Sequence, residues 1–219
     1  MLNVDQVYHK LSKYYGRQHW WPANSPFEVM VGAILTQNTS WTNVEKAIIN
    51  LNKNKSLSCR KIIELSDENL AELLRPVGYF NVKARRLKNF CNWYQTSSCP
   101  EQANTECLRR ELLSINGVGP ETADDILLYA FDRPVFVIDA YTRRLFSRLE
   151  LIEADEGYEY LRLWFETKLK RVENKVTLFN EYHALIVQHA KAHCRSKTPL
   201  CETCCLKRSC AYAKANRKF

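Results

Sequence analysis

Apolar side chains recur along this chain at the three-to-four-residue spacing of helices that bury one face. Val4, Val7, Tyr8, Leu11 and Tyr15 predict an amphipathic helix over residues 3–15. Phe27, Met30, Val31, Ile34 and Leu35 predict a buried helix, and Val44, Ala47, Ile48 and Leu51 a second one capped by Ser40 or Thr42. Ahead of them, His19 to Pro26 cannot stay helical through its two prolines and reads as a loop carrying Trp20 and Trp21. Such a pair either pins the loop to the core or offers a stacking surface for a flat ligand. After a polar connector at Asn52–Ser56, Ile62, Ile63 and Leu65, then Leu70, Leu73 and Leu74, predict two short helices. A turn at Arg75–Asn81 leads into a helix with Lys83, Arg85, Arg86 and Lys88, the pattern of a backbone-binding edge. Gln95 to Thr105, with Ser97, Ser98 and Pro100, reads as a loop. Later helices are expected at 140–149, 157–171 and 179–193.

The most informative stretch is 112–146. Leu108, Leu112 and Ile115, then Ala123, Ile126, Leu127 and Ala130, flank Asn116-Gly117-Val118-Gly119, which predicts two packed helices around a tight turn. Both glycines permit positive φ and close approach of a ligand, and Pro120 suits a first helical position. Bare amides at that helix start would suit an anion such as a phosphate. Arg133-Pro134 then breaks the chain, and the apolar run Val135–Ile138 delivers Asp139 to the start of a helix with Arg143 and Arg144. Asp139 either caps that helix or carries chemistry beside a sugar-phosphate backbone, and the residues alone leave both readings open.

Composition adds a partner class. Among 219 residues, 32 Lys and Arg against 24 Asp and Glu give a net charge of +8, which favours an anionic partner, nucleic acid first, although a merely solvated basic surface would give the same total. No apolar run approaches a membrane span and the start does not resemble a signal segment, so a cytoplasmic protein without a membrane partner is expected. The nine cysteines are odd in number and crowd the C-terminus, which points to reduced thiols and a metal site. Cys59, Cys91, Cys99 and Cys107 read as isolated core or surface residues. Cys194-x6-Cys201-x2-Cys204-x5-Cys210 brings four thiolates to a metal, either zinc or an iron–sulfur cubane; one short knuckle instead of the two usual for zinc leans toward the cubane. Cys205 has no evident role. Arg195, Lys197, Lys207 and Arg208 make this loop cationic, and His183 and His189 read as packing residues.

LLSINGVGPETAD followed by VFVIDAYTRRLF resembles the helix-hairpin-helix and catalytic aspartate of the endonuclease III superfamily of DNA base-excision glycosylases. The resemblance implies that Gly117, Val118 and Gly119 hold a DNA phosphate, with a monovalent or divalent cation at the hairpin, and that Asp139 is the essential acid. Bifunctional members carry a lysine two residues after the last hairpin glycine, where this chain has Glu121; a carboxylate cannot form a Schiff base, so a monofunctional enzyme is expected. ILTQNTSWTNVEKA resembles the segment whose glutamine fills the space of an extruded base, which makes Gln37 that wedge; taken alone it is an ordinary loop amide. Tyr79, after its glycine, would enter the opposite strand, with Lys83 among the DNA contacts. The match is closer to the 3-methyladenine DNA glycosylase III branch, in which Trp20, Trp21, Pro22 and Trp41 would enclose the damaged base. The cysteine spacing resembles the endonuclease III-type [4Fe–4S] loop, with Cys194, Cys201, Cys204 and Cys210 as ligands.

The predicted fold is therefore all-α, with a six-helix lobe at 19–132 ending in the hairpin pair, and a second lobe of residues 1–18 with 133–219 that carries the loop 194–210. The resemblance implies a monofunctional glycosylase for alkylated purine in double-stranded DNA, acting as a monomer in a bacterial or archaeal cytoplasm at the nucleoid. An enzyme for oxidised or mismatched bases, with or without lyase activity, and a non-catalytic iron–sulfur DNA-binding protein are the alternatives.

Overall fold

A computed structural model of the chain describes residues 2–97, 102–169 and 173–216, and the regular elements among them are all helical. In chain order they are α1 (Val4–Tyr15), α2 (Pro26–Leu35), α3 (Trp41–Lys53), α4 (Cys59–Glu64), α5 (Asp67–Leu73), α6 (Phe80–Thr96), α7 (Thr105–Ser114), α8 (Pro120–Ala130), α9 (Ala140–Arg148), α10 (Tyr158–Lys168), α11 (Lys175–Ala192) and α12 (Ala211–Ala215), with short 3-10 turns at Arg75–Val77 and Cys201–Thr203. Among the described residues, no helix is long and apolar enough to cross a membrane.

The chain forms two compact units, residues 1–22 with 134–219 and residues 23–133. The expected boundary after residue 18 thus falls after Pro22. The cause is local: the Gln18 amide donates to Glu181 Oε1 at 2.7 Å, and the Lys191 ammonium lies 5.7 Å from the Trp20 ring centre, so the tryptophan loop is tied to α11. The lobe expected to hold six helices carries seven among the described residues, α2 to α8, and the two expected short ones, α4 and α5, start behind serine caps, Ser58 and Ser66. Gln95 and Thr96 complete α6 rather than opening a loop, whereas Ser98, Cys99 and Pro100 lie outside the described residues. The last long helix starts at Lys175, ahead of the expected 179, because Asn174 accepts from the Thr177 amide at 3.0 Å and caps it there.

In the 23–133 unit α2 is the centre. It starts from a Ser25 cap with Pro26 in its first turn and is buried from Glu28 to Leu35, as expected of a helix apolar all round. α3, α6 and α8 pack against it. The hairpin pair α7 and α8 carries a buried ion pair, with Arg109 Nε 2.7 Å and Nη2 3.2 Å from the two oxygens of Asp124. In the other unit α11 is central, with α1 and α9 against it. Beside it, Phe136 stacks on Phe165 at 4.4 Å and meets Phe179 and Tyr182 edge-on. The run Val135–Ile138 is buried without being a strand, and α10 side chains satisfy its alternate amides: Phe136 N donates to Glu166 at 3.1 Å and Ile138 N to the Tyr158 hydroxyl at 3.4 Å. That pairing fixes where Asp139 emerges.

Removing one member of a buried ion pair strands the other charge. Arg109→Met should therefore lower the stability of the 23–133 unit by about 3–5 kcal/mol. Arg109→Met with Asp124→Leu should recover part of that loss, and urea unfolding of the two variants measures both.

Candidate functional site

Asp139 occupies the N-cap of α9 with an extended backbone, φ −96° and ψ 179°. Its Oδ1 accepts from the Thr142 amide at 2.6 Å, and its Oδ2 lies 3.4 Å from His183 Nε2 on α11. The capping reading of this residue is thus correct for one oxygen only. The residue is 8% exposed, and burial by itself pushes its carboxyl up; the hydrogen bond and charge of His183, with the Thr142 contacts, outweigh burial and hold it below the usual carboxylate range. The result is a shielded carboxylate that stays ionised. His183, expected only to pack, is its charge partner. The available signal was position: His183 and His189 are the buried polar residues in an otherwise apolar stretch of α11.

The hairpin differs in part from the expectation. Gly117 alone takes positive φ, 99°, and a side chain there would run into Arg86 of α6. Gly119 is extended, φ −95°, and caps α8; a Cβ at this position would meet nothing within 4 Å, so its face is open. Val118 is buried and its amide donates to Ile115 O at 3.0 Å, so it is not a bare amide. An approaching anion therefore meets Gly119 and the first turn of α8. Gln37 joins this hairpin directly. Its Nε2 donates to Gly117 O and to Thr122 Oγ1, both at 3.0 Å, and its Oε1 accepts from Arg86.

Lys83 was expected to face DNA and does not. It is 2% exposed, and its ammonium donates to Leu35 O and Val77 O, each at 2.9 Å, at the C-terminal ends of α2 and of the 3-10 turn. Two helix-end carbonyls stabilise a cation there, while burial, with Arg86 nearby, lowers its pKa to about 8. Its neighbours on α6 are also engaged internally: Arg86 holds Gln37, and Lys88 holds Leu65 O at 2.7 Å and Asp67 at 2.5 Å. Tyr79, by contrast, is 75% exposed and sits in the left-handed region at φ 46° as the N-cap of α6. A bulky residue held in that sparsely populated region projects from a turn that fixes it.

Trp41 opens α3, is half-buried, and donates from its indole to Glu45 at 2.8 Å. Trp20 and Trp21 are half-buried and meet edge-on at 6.1 Å, and Pro22 is exposed. These three lie in the same unit as Asp139. The Lys191 ammonium stands 5.7 Å from Trp20 and 5.9 Å from the ring of Tyr141, two residues beyond Asp139, which sets the tryptophan loop beside the start of α9.

Cys194, Cys201, Cys204 and Cys210 all line one pocket, with Arg148, His189 and Tyr212 also on its wall. Among the described residues, no three His, Cys, Asp or Glu side chains form a ready site for a single ion. The sulfurs surround a volume, and donors already face them: Arg148 Nη1 is 3.3 Å from Cys194 Sγ, and Leu206 N is 3.4 Å from Cys204 Sγ. Burial pushes the Cys201 and Cys210 thiols up, and a hydrogen bond with the Cys205 thiol, followed by burial, takes Cys204 to about 12. A bound positive centre is what would convert such thiols to ligating thiolates. Arg144 Nε to Cys194 O at 2.8 Å, and Arg148 to Arg195 O at 2.8 Å, fasten the loop to α9.

Comparison with known proteins gives this geometry a family. MJ1434 of Methanocaldococcus jannaschii, whose name assigns it provisionally to the DNA repair glycosylases, is 49% identical over 213 residues, covering 94% of this chain and 95% of that one. The crystal structure of H. pylori 3-methyladenine DNA glycosylase (MagIII) bound to 1,N6-ethenoadenine superposes with a TM-score of 0.75 at 30% identity, over 87% of this chain and 98% of that chain. A trapped endonuclease III–DNA covalent intermediate shares the fold at a TM-score of 0.82 and 23% identity, over the full length of both chains. Residues 31–171 match the HhH-GPD superfamily of base excision DNA repair proteins, with the hairpin and Asp139 inside the matched span, and the chain belongs to that family of DNA glycosylases.

Proposed function

We propose that this chain is a monofunctional DNA glycosylase that hydrolyses the N-glycosidic bond of a damaged base extruded from double-stranded DNA, with N3-alkylated adenine as its preferred substrate. The observation that carries the reading is the Asp139 carboxylate, held charged by Thr142 and His183 despite its burial. Bond cleavage leaves positive charge on the sugar. A fixed anion in a shielded site stabilises that oxocarbenium-like centre far more than one in water, and it orients a water toward C1′. An N3-alkylated adenine is already cationic, so its bond is weak and the base needs no general acid to leave, unlike an ordinary glycoside.

The remaining residues take supporting roles. Gly119 and the first turn of α8 grip a phosphate beside the lesion, with Gly117 shaping the turn. Tyr79 enters the opposite strand. Gln37 fills the vacated stack after exchanging its bonds to Gly117, Thr122 and Arg86, at ~1 kcal/mol for each bond not replaced by DNA. Trp21, Trp41 and Pro22 contact the base, an indole face attracting a cationic ring by ~0.5–2 kcal/mol. Trp20 already faces the Lys191 ammonium, which would oppose a cationic base on that side; this favours, as the second reading, a neutral oxidised or mispaired base. Glu121 offers no amine for strand cleavage, and the 30% identity to the H. pylori 3-methyladenine enzyme supports the alkylpurine choice. Cys194, Cys201, Cys204 and Cys210 fit a [4Fe–4S] cluster, because they line one pocket and two of them, Cys194 and Cys204, already receive N–H donors. When bound, the cluster supplies cross-links that hold the cationic C-terminal loop in shape, and it takes no part in base release.

Purified protein should release 3-methyladenine from duplex oligonucleotides faster than hypoxanthine, thymine glycol, uracil or mispaired bases; a preference for any neutral lesion establishes the second reading. Asn caps helices as well as Asp does, so Asp139→Asn separates charge from fold: base release should fall by about 10²–10⁴-fold with duplex affinity and helicity retained. Unchanged turnover would remove Asp139 from the mechanism. Borohydride should trap no covalent DNA adduct with the wild-type chain, whereas Glu121→Lys should become trappable. Trp41→Ala should lose base release well beyond its loss of duplex affinity.

A further inference from the structure

We propose that Tyr15, His193 and His189 form a directed hydrogen-bond chain ending on the sulfur of Cys204, and that this chain sets how firmly the C-terminal loop holds its cluster and at what potential the cluster is reduced. The proposal rests on the iron–sulfur reading of the four cysteines. Tyr15, the last residue of α1, places its hydroxyl 2.9 Å from Nδ1 of His189 and 2.7 Å from Nδ1 of His193. Nε2 of His189, fully buried, lies 3.6 Å from Cys204 Sγ. The two imidazoles are nearly parallel, 17° apart with centres at 5.6 Å, so one hydroxyl serves both.

Proton counting allows this chain two directions only. A tyrosine hydroxyl has one hydrogen to give, and a neutral imidazole carries one N–H. When Cys204 is a thiol, it donates to His189 Nε2; His189 then donates from Nδ1 to Tyr15, and Tyr15 donates to His193. A sulfur bound to iron has no hydrogen, so the order must reverse. His193 Nδ1–H donates to Tyr15, Tyr15 donates to His189 Nδ1, and His189 Nε2–H donates to Cys204. In that state Cys204 receives two donors, His189 and the Leu206 amide at 3.4 Å. Each donor stabilises negative charge on the sulfur, favouring the cluster over its free components and the reduced cluster over the oxidised one. The hydroxyl at the end of α1 thereby selects the tautomer of a buried histidine that it joins to the loop. This gives α1 a function beyond packing.

The test uses the full chain, reconstituted anaerobically. Iron and sulfide analysis of the wild type comes first: a chain that takes up no iron overturns the cluster reading and this proposal together. With the cluster loaded, Tyr15→Phe keeps the ring and removes only the hydroxyl. It should retain the cluster's absorption, shift the reduction potential measured by voltammetry to more negative values, and release iron to a chelator about 10-fold faster. His189→Phe should shift both quantities further in the same directions, and His189→Gln, which keeps a donor, should fall nearer the wild type. A loaded cluster whose potential and iron release are unmoved in folded Tyr15→Phe and His189→Phe would overturn the chain of donors and leave the cluster reading intact.

Discussion

The proposed chemistry depends on keeping one carboxylate charged where water is scarce. A buried Asp ordinarily escapes the cost by taking a proton, and burial does push Asp139 in that direction. Two partners prevent it. The Thr142 amide belongs to the first turn of the helix that Asp139 itself begins, and His183 comes from the central helix of the same unit. The same oxygen that ends the extended run Val135–Ile138 starts α9, so the site and the local fold share one interaction. The Glu166 and Tyr158 contacts to Phe136 and Ile138 belong to the same arrangement, because they settle the register in which that run reaches α9.

The hairpin unit shows a parallel use of polar groups at chain ends. Lys83 is buried against the last carbonyls of α2 and the 3-10 turn, and Gln37, just beyond α2, reaches Gly117 and Thr122. The end of the central helix is thus joined to α6 on one side and to the hairpin on the other. The glycine at 117 is required twice over, by its positive φ and by Arg86 beneath it, whereas Gly119 leaves an open face at the start of α8. Close packing at one glycine and open space at the other let the same four-residue turn be rigid and accessible.

Much of this was legible in the sequence, and what was not has a common physical cause. Helices appear because apolar spacing is local, and the hairpin, Asp139 and the cysteine loop appear because their residue types are unusual at their spacings. Lys83 misled because a lysine on an otherwise basic helix reads as surface; only the positions of two distant carbonyls make its burial favourable. His183 and His189 were recognisable as inward-facing, but their partners lie 44 residues before His183 in one case and on α1 in the other, and no periodicity encodes such pairings. The side of the boundary on which the tryptophan loop falls is hidden for the same reason, since Glu181 and Lys191, which hold it, lie more than 150 residues away.

The electrostatics around Trp20 bear on the proposed substrate choice more than the indoles do by themselves. An aromatic face attracts a cation, but the Lys191 ammonium already stands between Trp20 and Tyr141. A second cation on that side meets repulsion of the same order as the attraction it seeks, so in the proposed pocket Trp20 would contribute shape rather than charge recognition. Lys191 is on the exposed surface of α11, where solvent weakens its reach, while Asp139 is shielded. In the proposed reaction the buried anion would therefore have more influence on a cationic base and sugar than the exposed ammonium has against them. That imbalance supports the proposed order of alkylated purine ahead of neutral lesions.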